Sequence, residues 1–187
     1  MSGYEAELPE FEKFCLVAAF QARCAITSDR SGLRQFVYTS KEVLRIAAAN
    51  DFDWLSQQYT IPRLHGIEEA SLNWSVLMVI DHLNQFNLAA LEVIYALDSG
   101  KQPMAKILQR DFEPAADVDI DVVSEFRANN REYSAFVQSQ MPLAAQTKFR
   151  HPFYGNLSSH GWHLLVTSYQ KNRLRQIYKL SAMLGVA

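Results

Sequence analysis

Between residues 70 and 97 apolar side chains return every three or four positions: Val76, Val79, Leu83, Phe86, Ala90, Ile94 and Leu97. That period keeps them on one face of a continuous α-helix, whereas a strand would need alternation. A helix of this length with one apolar stripe must bury it against other helices. Gly100 stands where it can cap the C-terminal end. A second helix is predicted from Asp119 to Gln140, with Val122, Val123, Phe126, Tyr133, Phe136 and Val137 inward and Pro142 just beyond. A last helix starts near Ser158 or Ser159, either a good N-cap. It carries Trp162, Val166, Tyr169, Arg173, Ile177 and Leu180 along one stripe.

The N-terminal part supplies further helical pattern. Pro9 in a first turn, with Glu10 and Glu12 at the positive end of the dipole, opens a segment whose Phe11, Phe14, Ala18, Ala22 and Ala25 are expected inward. The cluster "TSDRSG" (27–32) reads as its stop. Thr39 and Glu42 then read as a capping box for a helix through "EVLRIAAAN", which continues or breaks near Asn50 and Asp51. Pro62 and Gly66 make 59–70 a connector. No strand pattern, internal repeat or low-complexity tract stands out. The expectation is one all-α domain over 1–187, built on four main helices with an additional N-terminal helical segment.

Composition narrows the class of function. A net charge of −2 gives no reason to expect nucleic acid as a partner. No apolar run approaches the ~18–20 residues that span a bilayer, and "MSGYEAELPEFEKF" has no basic leader, so a cytoplasmic protein is expected. Cys15 and Cys24, nine apart, fall on opposite faces of a helix and read as free buried thiols. Six acids and no base lie between Asp111 and Glu125, and six bases and no acid from Lys148 onward. Either the acidic connector lies against the basic last helix, or both are solvated faces.

Two stretches together carry a resemblance. "NWSVLMVIDHLNQFN" (73–87) contains Trp74-Ser75 and His82-Leu83; "HPFYGNLSSHGWHLLVTSYQKNRLRQI" (151–177) runs from His151-Pro152 through Gly155 to Trp162. In order and spacing the region 70–187 resembles the DinB-like (YfiT-like) superfamily of four-helix bundles. The resemblance implies a homodimer and a divalent metal on three histidines, one in the second bundle helix and an H-x-x-x-H pair in the fourth. Residues i and i+4 share a helix face, so two imidazoles there converge on one ion. Relatives use such sites for thiol-dependent transfer or isomerisation.

By that resemblance His82 falls on the first ligand position, but the pair falls on Tyr169 and Arg173. Arginine has no lone pair to give, and phenol is a poor ligand near neutral pH. At ~4 Å and an effective dielectric of about 20, a guanidinium opposes a divalent cation by roughly 8 kcal/mol. The expectation is therefore a degenerate site, with no metal and no other cofactor. His160 and His163 (i, i+3), with the loop residues His65 and His151, offer a remote alternative; helix-start and surface roles are the expected reading.

The pocket candidates are His82, Tyr169, Arg173, Trp74 and Trp162. Arg173 either snorkels or forms an internal ion pair, or it replaces the metal's charge in a cationic pocket for a carboxylate or other anion. Three functions follow. The first is a small-molecule or anion binder, or an interaction module. The second is a metal-dependent thiol S-transferase or hydrolase-like enzyme. The third is a metal-free acid/base enzyme using His82 with Tyr169 and Arg173.

Overall fold

The computed structural model describes residues 10–104 and 112–185. In chain order they form α1 (Glu10–Ile26), α2 (Asp29–Ala48), the short α3 (Phe52–Ser56), α4 (Val76–Asp98), α5 (Asp121–Gln140), strands β1 (Phe149–His151) and β2 (Gly155–Leu157), and α6 (Ser159–Met183). The protein is all-α apart from this one hairpin. Helices α2, α4, α5 and α6 make a four-helix bundle, and α1 is the additional N-terminal helix. Pro9, expected to open α1, lies outside the described residues.

Serine starts three of the four bundle helices. Ser28, Ser75 and Ser158 each accept a hydrogen bond from the amide three residues on, at Ser31, Met78 and Gly161, satisfying one orphan donor of the first turn. At the far end of α4 the amides of Gly100 and Lys101 donate to Leu97 and Ala96. This double closure needs the left-handed backbone that Gly100 adopts (φ 70°).

The helices close a square in which α2 lies beside α6, α6 beside α4, α4 beside α5, and α5 beside α2. Contacts between Gly32 and His163, Ser40 and Gln170, and Glu42 and Tyr178 make α2 and α6 parallel. Asn84 with Asn129, Asn87 with Asn130 and Tyr95 with Phe136 make α4 and α5 parallel as well. The end of α4 and the start of α5 therefore lie at opposite ends of the bundle. Two apolar clusters fill the interior. Phe36, Ala90, Tyr133 and Trp162 belong to one, and Val43, Leu83, Phe126 and Ile177 to the other. Each such side chain contributes about 1.5–3 kcal/mol by leaving water. Between the clusters every bundle helix turns a polar residue inward: Ser40, Asn87, Asn130 and Gln170, all buried.

Several expectations fail here for identifiable reasons. "TSDRSG" does stop α1, which ends at Ile26, but it is not a loop: Ser28 is already the N-cap of α2, which runs on through Thr39. The Thr39 hydroxyl donates back to the carbonyls of Gln35 and Phe36 (2.9 and 3.0 Å), so no capping box forms with Glu42. The stripe expected inward on α1 faces out, with Phe11 and Phe14 79% and 71% exposed and Ala18, Ala22 and Ala25 also exposed. Phe20, on the opposite face, is buried against Tyr154 at 4.6 Å. With its stripe, Cys15 is exposed rather than buried, while Cys24 is half-buried. The acidic start of α5 lies diagonal to α6, and among the described residues no ion pair joins 112–125 to 148–185. The hairpin strands, three residues each, are too short to show alternation.

The contact of α2 with α6 depends on Gly32. A Cβ there would stand 2.7 Å from Leu164 Cδ2 and 2.8 Å from His163 Nε2. Alanine is the better helix former by about 1 kcal/mol, but crowding of this kind costs about 1–3 kcal/mol. Gly32→Ala is therefore expected to lower stability in urea unfolding; a stabilised variant would mean that the helices separate freely here.

Candidate functional site

The feature that organises the polar interior is Arg173, fully buried on α6. Its Nη1 donates to Ser71 Oγ (2.9 Å) and Gln176 Oε1 (2.8 Å). Its Nη2 donates to Glu68 Oε2 (2.8 Å) and Tyr169 Oη (3.0 Å), and stands 3.1 Å from His82 Nε2. Trp74 covers it, the guanidinium carbon lying 5.0 Å from the indole centroid. Gln176 in turn donates to the Ser71 carbonyl at 2.6 Å. The guanidinium thus neither snorkels nor stands alone; its charge is met by an internal carboxylate.

Hydrogen bonding sets the state of His82. Its Nδ1 faces the Phe112 carbonyl at 2.6 Å and must donate. Nε2 is then the acceptor, receiving the Tyr169 hydroxyl in a short hydrogen bond. Burial, then the adjacent Arg173 charge, pull His82 down to about 3, against the Phe112 hydrogen bond, so the ring is neutral. Burial pushes Tyr169 up to about 12 despite Arg173, so it stays a phenol. Burial works against the Arg173 cation, but Tyr169 and Glu68 outweigh it and raise its pKa.

This donor set does not suit a divalent cation. The single lone pair of His82 Nε2 is engaged by Tyr169 and confronts a cationic nitrogen at 3.1 Å. Among the described residues no three His, Cys, Asp or Glu side chains are placed to share an ion.

Of the sequence candidates, His82, Tyr169, Arg173 and Trp74 come together, and Trp162 does not. Trp162 is buried beside the hairpin, its Nε1 donating to the Phe149 carbonyl at 3.4 Å. His151 shapes that hairpin: its Nδ1 accepts from the amides of Phe153 (3.0 Å) and Tyr154 (3.2 Å). His163, expected at the surface, is buried; Nε2 donates to the Asp29 carbonyl and Nδ1 accepts from Tyr133. His160 bridges the Asp29 carboxylate and the Cys24 carbonyl (2.6 and 3.1 Å), while His65 is exposed beside Glu12. Surface grooves of about 340 Å³ (Leu88, Tyr95, Phe136) and 210 Å³ (Tyr38, Lys171, Tyr178) lie away from the cluster.

Sequence reasoning missed Glu68, Ser71 and Gln176. Gln176 follows Arg173 by three residues and so shares its face, which is a readable signal. Glu68 sits in a connector without periodicity, and nothing local marks it.

Fold and interior together define an all-α four-helix bundle with a buried His–Tyr–Arg–Glu cluster. The chain is similar to the crystal structure of TT2238, a four-helix bundle protein, with a TM-score of 0.53 and 19% identity over 81% of this chain and 98% of that one. That likeness concerns the fold. No family model and no curated protein sequence matches the chain. Among the described residues no helix is long and apolar enough to cross a membrane.

The buried neutral histidines set a pH dependence. Burial lowers His82 to about 3 and His163 to about 4, from an ordinary 6.5. The unfolded chain therefore takes up protons first as pH falls. Stability is fully present above 6.5 and is lost from there down toward 4. Burial lowers His151 to about 4 in the same way, and three such groups are worth roughly 5–6 kcal/mol between pH 7 and pH 5. Urea unfolding at the two pH values measures the loss, and His163→Gln is expected to remove about a third of the slope.

Proposed function

We propose that the protein is a DinB-like bundle of the degenerate kind, in which Arg173 has taken over the charge of the metal and binds small carboxylates. The observation that carries this reading is that the guanidinium already holds one. Glu68 comes from the connector rather than a bundle helix, and its side chain retains 20% exposure where that of Arg173 has none. A ligand carboxylate that displaces Glu68 meets the Nη2 donor of Arg173 that Glu68 now holds, with Trp74 as an apolar wall. Charge-assisted bonds of this type are the strong ones, and the fork matches a carboxylate. The acid/base reading is weaker, because the lone pair of His82 is already engaged by Tyr169.

The test is chemical rescue. Glu68→Ala leaves a buried guanidinium without its counter-ion and is expected to cost about 3–5 kcal/mol. Formate or acetate should restore its Tm saturably, with chloride at equal ionic strength as the control. The Glu68→Ala/Arg173→Met double variant should show no rescue. The wild type should also gain Tm, saturably, with at least one small mono- or dicarboxylate. A rescued variant beside an unresponsive wild type would make Glu68 a permanent structural counter-ion and overturn the binding function.

A further inference from the structure

The outer face of α1 is apolar and uncharged. Phe11, Phe14, Ala18, Ala22, Ala25 and Ile26 lie within an arc of about 120° at 100° per residue, and each is exposed, Ile26 to 86%. The opposite face, centred on Phe20, packs on the protein. A helix with apolar residues on both faces belongs in an interior. The stripe therefore calls for an occupant, and its own layout names one. Large residues stand at its N-terminal end and alanines through its middle and C-terminal half, with Ala18 at the centre.

We propose that this face is a self-association surface, on which α1 pairs antiparallel with α1 of a second copy about a two-fold axis at Ala18. Numbers summing to 36 then stand opposite one another. Phe11 covers the partner's Ala25, Phe14 covers the partner's Ala22, and Ala18 meets the partner's Ala18. Large residues seat on small ones, as close helix packing requires. The pairing is isologous, so each contact occurs twice and the association closes at a dimer. The charged residues within the paired span, Glu12, Lys13 and Arg23, fall more than about 100° around the helix from Ala18, so no ion is buried. With an aromatic side chain offering 150–250 Å², the stripe presents roughly 500 Å² per copy. The total, about 1,000 Å², lies at the lower bound for a specific interface, so the dimer is concentration-dependent.

Sedimentation equilibrium of the full chain across a wide concentration range tests this. The wild type is expected to be a reversible dimer, and Phe14→Glu to weaken it at least about a hundredfold. Circular dichroism checks that the variant retains its helices, and Ala22→Glu serves as a second disruptor if it does not. Tyr95→Glu, on the distant α4–α5 groove, is the control expected to leave the dimer intact. A monomeric wild type, or a dimer broken by Tyr95→Glu and not by the α1 variants, overturns the proposal. The native cysteine tests direction: antiparallel pairing holds the two Cys15 positions about 9 Å apart along the axis, beyond disulfide reach. A Cys15–Cys15 crosslink on mild oxidation of the dimer would overturn the antiparallel arrangement.

Discussion

A guanidinium in a closed helical interior is the constraint around which the rest is arranged. Removing such an ion from water costs several kcal/mol, and its donors must be met by acceptors inside the protein. Arg173 obtains them for Nη1 and Nη2 from α6 itself (Tyr169, Gln176) and from the connector (Glu68, Ser71), while its buried Nε has no protein partner. Its demand therefore extends well beyond its own helix. It holds the short 3-10 turn Glu69–Ser71 and its N-cap Glu68 against α6, where the Ser71 carbonyl also accepts from Gln176. Burial, reinforced by this charge, keeps His82 neutral, and the neutral ring then needs an acceptor for Nδ1, which the Phe112 carbonyl supplies. One buried charge thus orders the connector before α4 and the segment before α5.

The polar layer through Ser40, Asn87, Asn130 and Gln170 has a related role. Apolar side chains on parallel and antiparallel neighbours can slide by a turn at little cost, because leucine substitutes for leucine. Hydrogen bonds cannot. Gln170 Nε2 reaches Ser40 Oγ at 2.7 Å and Asn87 Nδ2 reaches Asn130 Oδ1 at 3.0 Å, and a slip would strand all four groups without water. The layer is not fully satisfied: Asn87 Oδ1, Asn130 Nδ2 and Gln170 Oε1 have no protein partner. A bundle that keeps such groups gives up some stability for a single register, the use of buried polarity best attested in coiled coils.

How much of this could be read in the chain differs by element. The α4 stripe, the α5 and α6 cores and the Ser158 cap were all legible, because burial on one side imposes a 3.6-residue period. The start of α2 was not, since serine and aspartate suit a turn and an N-cap for the same reason, their short hydrogen-bonding side chains. The orientation of α1 was illegible because both faces are apolar, so periodicity alone could not choose between them. Within the site, the convergence of His82, Tyr169 and Arg173 followed from helical spacing and the family resemblance. Glu68 did not, because a contact 105 residues away, made from an irregular connector, leaves no local trace.

A buried arginine asks something different of a bundle's loops than a metal would. A metal held by three imidazoles is coordinated by side chains of the bundle helices, and its open position leaves the loops free. A buried guanidinium needs a counter-ion, and here the connector delivers one through the single contact of Glu68 Oε2 with Nη2. That connector is tied in turn to α1, where Glu12 accepts from Arg63 Nη2 (2.6 Å) and from the Gly66 amide (3.2 Å). Glu68 lies two residues beyond Gly66. The segment that carries Glu68 is thus also one of the anchors that set how α1 sits. The two ends of the connector therefore have to be satisfied together: the same dozen residues carry the counter-ion of the buried charge and the hold on the exposed apolar helix.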